Sequence, residues 1–535
     1  MTLPQARTVG DLVTEMARLY PENFAIIHRR RRMTFAELEA SMKAHGSAML
    51  AAGVQKGDIV SVLSANTPEW LEIAVGCASI GAVLCPLNTW NKDDELRRVL
   101  ERVQPNLLFV GAAFAGQDLP GMVSRILGVR DGDARTGGSN GLRLQVIPIG
   151  VGASKFSRYQ TFLDAGESGS RGVEQPAVAA EDVAFICFTS GSDAEPKGVL
   201  LEHGKAVVNG YHIGERQQLV PGDRLWLGTP LFYGFGLVNA LPAAWTHGAA
   251  LVIQDQFEPG EALSLIETER ATAYYAFGNM TRKLLQHPDL PRRDISSLRT
   301  GLTGFSEVDI RLAVEELGVT GCCSMYGQTE AHGLCFLSDS SDPVEVRMAT
   351  QGRPIDGWEY RLDTAVSMDE SLPPGAGELL VKGRLSPGYF NDSCATRDAF
   401  TDDGFLRTGD LALIDQNGRM IYVGRRKEMI KVGAINVAPV EVEALLQTHP
   451  DVDDAYVVGV SDAERFEVLA AFVVAKDRGL GAGDLKAHVK ARASSFKVPT
   501  HVYFIDATEV PRTTSGKVLK RSLREMADRL ANDEN

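Results

Sequence analysis

From residue 34 to residue 110 the apolar residues change period repeatedly, and this alternation limits the fold more than any other feature of the chain. TFAELEASMKAHGSAMLAAG carries apolar residues at helical spacing and ends at Gly53. GDIVSVLSA then reads as a strand, WLEIAVGCASIGA as a largely apolar helix and VLCPL as a short buried strand. DDELRRVLERV is another helix and NLLFVGA another strand. Strands that alternate with helices build a mostly parallel sheet covered on both faces. A second α/β region runs from about 183 to 360, followed by a strand- and turn-rich tract, YRLDT, GELLVKG and FLRTGDLALIDQNGRMIYVG. QNG between LALID and RMIYV is a hairpin signal. After Gly424 a polar stretch, RRKEMIKVG, precedes the helix PVEVEALLQTH, and αβ alternation resumes in a small C-terminal domain. VRDGDARTGGSNG (129–141) and GESGSRGVEQPA (166–177) read as surface loops or linkers.

The chain has 535 residues, enough for several domains and a large core without disulfides. Lys plus Arg is 55 against 69 Asp plus Glu, a net charge of −14 that argues against a general binder of nucleic acid or of anionic membranes. The seven cysteines, Cys77, Cys85, Cys187, Cys322, Cys323, Cys335 and Cys394, lie mostly in apolar runs without a CxxC pair. They read as buried reduced thiols, and no His or Cys cluster has zinc spacing. The first residues form an ordinary helix rather than a signal peptide, and there is no uninterrupted apolar stretch of membrane-spanning length. The cytoplasm is the expected location.

Phe188-Thr-Ser-Gly-Ser-Asp-Ala-Glu-Pro-Lys-Gly198 follows the buried strand DVAFICF. Small, hydroxylated and glycine residues before a lysine suit a polyphosphate, because backbone N–H groups approach it, hydroxyls donate and an ammonium neutralises charge. Further along stand Ser324-Met-Tyr-Gly-Gln-Thr-Glu-Ala331, Arg407-Thr-Gly-Asp410, Gly424-Arg-Arg-Lys-Glu-Met-Ile-Lys-Val-Gly433 and Pro511-Arg-Thr-Thr-Ser-Gly-Lys517. Taken singly, Tyr326 reads equally as a packed tyrosine, Asp410 as a turn cap and Lys517 as a cation at a helix start. Taken together and in this order, the stretches resemble the adenylate-forming superfamily of acyl-CoA synthetases, peptide-synthetase adenylation domains and luciferases, closest to the acyl-CoA synthetases. The resemblance runs over nearly the whole chain.

The resemblance implies a large N-terminal AMP-binding domain, 1–424, of two α/β subdomains plus a small β-barrel-like subdomain. It implies a hinge at 425–430 and a small mobile α+β C-terminal domain, 431–535. It also implies a two-step reaction, in which a carboxylate attacks the α-phosphate of ATP and a thiol then attacks the acyl carbon and releases AMP. By the same resemblance Thr189, Ser190, Gly191, Ser192 and Lys197 hold the β- and γ-phosphates. Tyr326 stacks on adenine beside Gly327, and Gly304 lines the purine pocket. Thr329 donates to the α-phosphate, and Glu330 holds Mg²⁺, a hard cation that suits a carboxylate. Asp410 accepts the ribose hydroxyls and Arg425 steadies the ribose. Lys517 bridges the substrate carboxylate and the α-phosphate, Lys427 is the hinge residue, and Gly433 and Ala434 face the pantetheine tunnel. Residues 511–524 hold Arg512, Lys517, Lys520, Arg521 and Arg524 and no acid, so the local charge suits ATP and CoA despite the acidic total.

The chain departs from the pattern at several places. The usual phosphate loop resembles TSGTTGxPKG, whereas Asp193 replaces a hydroxyl residue here and Ala194 replaces a glycine. A carboxylate facing pyrophosphate repels it, by several kcal/mol if desolvated and less if screened. Two outcomes stay open: adenylation from ATP is weakened or lost, or the loop tolerates the changes. Thioester formation from a preformed acyl-AMP needs no pyrophosphate site. Ala434 replaces the second glycine of a pair, Thr303-Gly-Phe-Ser306 replaces a Gly-Gly-Ala-Pro-like segment, and Tyr233 stands where many acyl-CoA synthetases have the histidine that gates the acyl pocket.

PLFYGFGLVNA (230–240) offers no carboxylate to hold an α-ammonium. Tyr233, Phe235, Gly236, Phe277, Asn279 and Phe305, with Phe232 and Met280, are candidate lining for an apolar acid, aromatic, alicyclic or medium-chain, and equally candidates for core packing. The expected activity is an AMP-forming acid–CoA ligase using ATP or acyl-AMP, Mg²⁺ and CoA. Loading of a separate carrier protein and a non-enzymatic adenylate binder are the alternatives. A homodimer stays open.

Overall fold

The computed structural model describes residues 3–128, 136–137, 143–150, 153–169, 175–189, 196–304, 306–364, 373–432, 435–462, 466–476, 479–493, 495–512 and 518–533. The chain divides into two compact units, Met1–Trp358 with Gly383–Asp398, and Glu359–Lys382 with Ala399–Asn535.

The first unit holds two seven-stranded sheets. One runs Gly321–Cys323, Thr300–Leu302, Ala273–Tyr275, Arg224–Leu227, Ala250–Ile253 and Phe24–His28, all parallel, and closes on the antiparallel edge strand Arg31–Thr34. The other centres on Val83–Pro86, Ile59–Leu63 and Leu107–Val110, again parallel, with Val183–Thr189 beside them and Lys197–Glu202 antiparallel at its edge. Gly53, read as the end of the helix over 34–53, follows Phe35–Ala51 in a left-handed turn at φ 89°. Thr67 caps the helix Pro68–Ile80 and Gly81 ends it in a left-handed turn at φ 70°. Thr34 and Glu37 form a capping box on Phe35–Ala51. Trp70, Trp226, Trp245, Tyr274 and Phe109 are among the largest fully buried side chains.

One loop expectation is corrected. The helix Ala153–Gly169 runs into the tract read as a linker at 166–177. A Cβ at Gly166 would lie 2.6 Å from the Ala48 backbone nitrogen, so this glycine permits close helix packing instead of marking a turn. Most of 129–141, and 170–174 of the second tract, lie outside the described residues.

The second unit contains the antiparallel sheet Glu359–Asp363, Gly377–Lys382, Leu406–Ile414 and Met420–Arg425. Its last two strands are the expected hairpin, turning at Gly418 with φ 73°. A five-stranded sheet built on Val452–Asp462 and Phe466–Ala475 follows, with the helices Pro439–Gln447, Ala482–Lys490 and Lys520–Asp533. The result is the mixed α/β architecture expected, with a large N-terminal and a smaller C-terminal domain. Among the described residues no helix is long and apolar enough to cross a membrane. The seven cysteines are free, six of them buried, and burial pushes the Cys187 and Cys323 thiols up to about 12.

Candidate active site

Val183–Thr189 and Lys197–Glu202 pair so that Thr189 faces Lys197, and the Thr189 hydroxyl donates to the Lys197 carbonyl at 3.4 Å. These strands carry both ends of the phosphate loop. Ser190, Gly191, Ser192, Asp193 and Ala194 lie outside the described residues. The Lys197 ammonium sits 5.3 Å from the ring centroid of Tyr389. The segment around Tyr389 is tied to the same strand, because Leu200 N–H donates to the Gly388 carbonyl at 3.0 Å and Phe390 N–H to the Gly198 carbonyl at 2.7 Å.

The second motif forms the strand Met325–Gln328 and a single 3-10 turn, Thr329–Ala331. Tyr326 is buried, edge-on to Phe336 at 6.4 Å. A Cβ at Gly327 would lie 2.6 Å from Leu334 Cα, so only glycine lets the two strands approach this closely. His332 closes the turn in a left-handed conformation at φ 47°. Its Nδ1–H donates to the Arg384 carbonyl at 2.8 Å, and its Nε2 accepts the Glu202 N–H at 2.9 Å. Both nitrogens are thereby committed in the neutral ring, and burial lowers its pKa to about 3. His332 is the pin that fixes Thr329 and Glu330 relative to the phosphate-loop strand. The Glu330 carbonyl accepts Ser386 N–H at 2.7 Å, and the Glu330 Oε1 accepts the Tyr389 hydroxyl at 2.7 Å. Burial, with Glu330 alongside, pushes the Tyr389 phenol well up, so it stays a donor.

The parallel strands place the third group. Tyr275, Leu302 and Cys323 are in register, so Phe277, Gly304 and Met325 follow at the carboxyl edge of the sheet, where open α/β sheets bind ligands. Thr303 Oγ1 and Ser324 Oγ are buried there, and Gln328 Nε2 at the end of the strand Met325–Gln328, without a hydrogen-bond partner among the described residues. Such orphans mark places that a ligand or water completes. Phe235 packs against Phe277 at 4.7 Å and Tyr275 at 5.3 Å. Asn279 follows on the helix Gly278–Leu285, half-buried. Tyr233 belongs to a separate cluster, stacked on Trp90 at 6.2 Å, with its hydroxyl accepting from Asn88 Nδ2 at 3.4 Å. Gly234 separates the two clusters, and a Cβ there would lie 3.7 Å from the Thr329 hydroxyl. Gly236 lies in a π-helical turn, Phe235–Ala240, where a Cβ would meet the Pro230 carbonyl oxygen at 3.0 Å, a position that serves close packing. Phe305 lies outside the described residues.

In the second unit Asp410 and Arg425 face each other across the hairpin, and Arg425 Nε donates to Asp410 Oδ1 at 3.0 Å. Asp410 is buried, and its own N–H is held by the Thr408 hydroxyl at 3.1 Å. Arg426 pairs with the buried Glu378 at 2.9 Å. The Lys427 side chain and Gly433, Ala434 and Lys517 lie outside the described residues, whereas Lys520 pairs with Glu443 at 2.8 Å.

The structure thus places Thr189, Lys197, Thr329, Glu330 and the apolar wall at Phe235 and Phe277 in one unit, the first four on elements joined through Glu202, His332, Ser386 and Tyr389 by direct hydrogen bonds. Sequence reasoning missed Tyr389, Trp90, Asn88 and Asp309. The Asp309 carboxylate fills the space that a Cβ would occupy at both Gly278 and Gly304. A glycine in each facing segment was its only trace in the sequence.

Residues 13–390 match the family model described as AMP-binding enzyme, and 441–517 match the AMP-binding enzyme C-terminal domain. The chain is 31% identical to the putative acyl-CoA synthetase YngI of Bacillus subtilis, covering 97% of this chain and 96% of that one. It is also 31% identical to the 3-[(3aS,4S,7aS)-7a-methyl-1,5-dioxo-octahydro-1H-inden-4-yl]propanoyl:CoA ligase of Rhodococcus jostii, covering 97% and 99%. Among solved structures it resembles the anthranilate CoA ligase AuaEII in complex with anthranoyl-AMP, at 25% identity and a TM-score of 0.84 over 99% of each chain.

Proposed function

The chain belongs to the AMP-binding enzyme family and is an AMP-forming acid–CoA ligase, and we propose that its acid is hydrophobic: aromatic, alicyclic or medium-chain. One observation carries this reading. The apolar cluster of Phe235, Tyr275 and Phe277 lies one residue from Gly234, against which the Thr329 hydroxyl is set. An acid whose body packs on Phe277 and the exposed edge of Phe235, with the fully buried Tyr275 supporting them, brings its carboxylate toward the threonine assigned to the α-phosphate. The relatives that act on a fused-ring propanoyl acid and on anthranilate support the same class.

In the first step a substrate carboxylate oxygen bonds to the α-phosphorus, and the α–β bridging P–O bond breaks to release pyrophosphate. In the second a thiolate bonds to the acyl carbon and AMP leaves. The first step brings an anion to a polyanion, so the protein must supply positive charge and hydrogen bonds. Thr189 and Lys197 with the phosphate loop, Thr329, and Lys517 fill that role, while Tyr326, Gly304, Asp410 and Arg425 seat the nucleoside. Glu330 fits a hard cation: Tyr389 occupies one carboxylate oxygen, and no other hydrogen bond to the carboxylate is made among the described residues. Mg²⁺ held there would neutralise phosphate charge. The division into 1–424, a hinge at 425–430 with Lys427, and a mobile 431–535 that brings Gly433 and Ala434 to the pantetheine belongs to the same proposal. So does a cytoplasmic location, in keeping with the free, buried thiols.

Asp193 and Ala194 favour a restricted version of this activity, in which adenylation from ATP is slow and acyl-AMP plus CoA are the effective substrates. Two reactions test the whole reading: a panel of apolar acids with ATP, Mg²⁺ and CoA, and the matching acyl-AMPs with CoA. Thioester in both is a complete ligase, thioester in the second alone is the restricted one, and thioester in neither overturns the reading. Replacing CoA by a phosphopantetheinylated carrier separates the carrier-loading alternative.

A further inference from the structure

We propose that Tyr389 is a positioning residue for the first half-reaction: it fixes the Glu330 carboxylate for a divalent cation and holds it apart from Lys197. The inference rests on the reading of Glu330 as the metal-holding acid.

Three observations converge on the tyrosine. Its hydroxyl donates to Glu330 Oε1 at 2.7 Å, and the Lys197 ammonium lies 5.3 Å from the centroid of its ring. Its backbone is tied on both sides: Tyr389 N–H donates to Thr396 Oγ1 at 2.9 Å, and residues on either side of it bond the Lys197–Glu202 strand. Ser386 N–H, on the same segment, donates to the Glu330 carbonyl at 2.7 Å. Tyr389 is therefore a fixed partition between an anion and a cation. Glu330 and Lys197 have opposite charges and different tasks, the acid to hold a cation and the ammonium to meet phosphate. A direct ion pair between them would cancel both. The ring keeps them apart while offering each a weaker partner, a hydroxyl to the acid and a π-face to the ammonium. With one oxygen bound, the carboxylate cannot spin freely, and a single rotamer presents its other oxygen to the metal. A preset ligand binds more tightly because less orientational freedom is lost on binding.

Tyr389→Phe keeps the ring and removes only the hydroxyl. The affinity of the enzyme–ATP complex for Mn²⁺, measured by electron paramagnetic resonance without any acid present, is expected to fall about tenfold, the usual worth of one charge-assisted hydrogen bond. The Mg²⁺ concentration for half-maximal ATP–pyrophosphate exchange should rise by a similar factor. Thioester formation from acyl-AMP and CoA, which involves no pyrophosphate, should change by less than about twofold. Unchanged Mn²⁺ affinity, absent Mn²⁺–ATP binding by the wild type, or equal loss in both half-reactions would each overturn the proposal. A wild type that binds Mn²⁺–ATP but makes no thioester from any acyl-AMP sinks the ligase reading instead, and the Mn²⁺ comparison still decides the role of Tyr389.

Discussion

Arg425 and Asp410 stand opposite each other in register on adjacent antiparallel strands, with Arg425 Nε donating to Asp410 Oδ1 at 3.0 Å. The carboxylate is 8% exposed and the guanidinium 35%. Removing the arginine leaves a nearly buried anion without this partner. Arg425→Leu is expected to cost about 2 kcal/mol, less than a fully buried pair because the guanidinium reaches solvent. Asp410→Asn keeps the shape and should cost less. Scanning calorimetry checks the order, and nucleotide titration should show both variants weakened, because the pair sets the carboxylate assigned to the ribose.

His332 makes the first unit sensitive to acid. In the folded state burial depresses its pKa from 6.5 to about 3, and His203 shifts in the same direction, to about 4. Between pH 6.5 and these values the unfolded chain takes up protons that the folded chain refuses. The stability contribution is therefore complete above pH 6.5 and is lost as pH falls, at up to about 1.4 kcal/mol per pH unit for each histidine. His332→Gln should flatten this slope. The check is the thermal midpoint of wild type and variant from pH 7 to pH 4, and parallel curves would contradict the assignment.

Gly234 separates packing from specificity. Its backbone is right-handed helical, at φ −54° and ψ −32°, and a Cβ would meet Val238 at 3.5 Å and the Thr329 hydroxyl at 3.7 Å, both ordinary contacts. Gly234→Ala should leave the thermal midpoint unchanged or slightly raised, since alanine loses less backbone entropy on folding. The added methyl narrows the space between the apolar wall and Thr329. KM for the acid is expected to rise about tenfold, as for a methyl-sized mismatch in an apolar site, with acids branched next to the carboxylate affected most. Steady-state kinetics over a graded acid series measures this.

The alternation of strands and helices was legible because period is a local property, and Gly53, read as a helix end, follows the last helical residue Ala51 in a left-handed turn. Thr329, Glu330, Asp410 and Arg425 were singled out differently, by the resemblance of the ordered motifs and not by any local period. Tyr389 was not legible. Its partners Glu330 and Lys197 are remote in sequence, and SPGYF looks like any turn before an aromatic residue. Trp90 hid in the turn-like NTWN, though it packs edge-on to Phe232 at 5.2 Å and Phe114 at 5.5 Å. Glycine was ambiguous in kind: the composition of GESG suggests a linker, yet Gly166 is a helix contact. Composition does not distinguish a glycine that bends the chain from one that lets another element come close.

The phosphate loop itself yields the sharpest genetic test. Thr189 and Lys197 flank a segment in which Asp193 adds negative charge and Ala194 adds a methyl relative to TSGTTGxPKG. On the proposal that this segment holds pyrophosphate, the acid would repel it and the methyl would hinder backbone approach. The double substitution Asp193→Thr and Ala194→Gly is expected to speed ATP–pyrophosphate exchange by about tenfold or more, the effect of removing one partly screened like-charge contact of about 1.4 kcal/mol. The rate of thioester formation from acyl-AMP should not move, because pyrophosphate takes no part in it. If exchange is already fast in the wild type and the double variant leaves it unchanged, the loop tolerates its acid, and the enzyme is a complete ligase working from ATP.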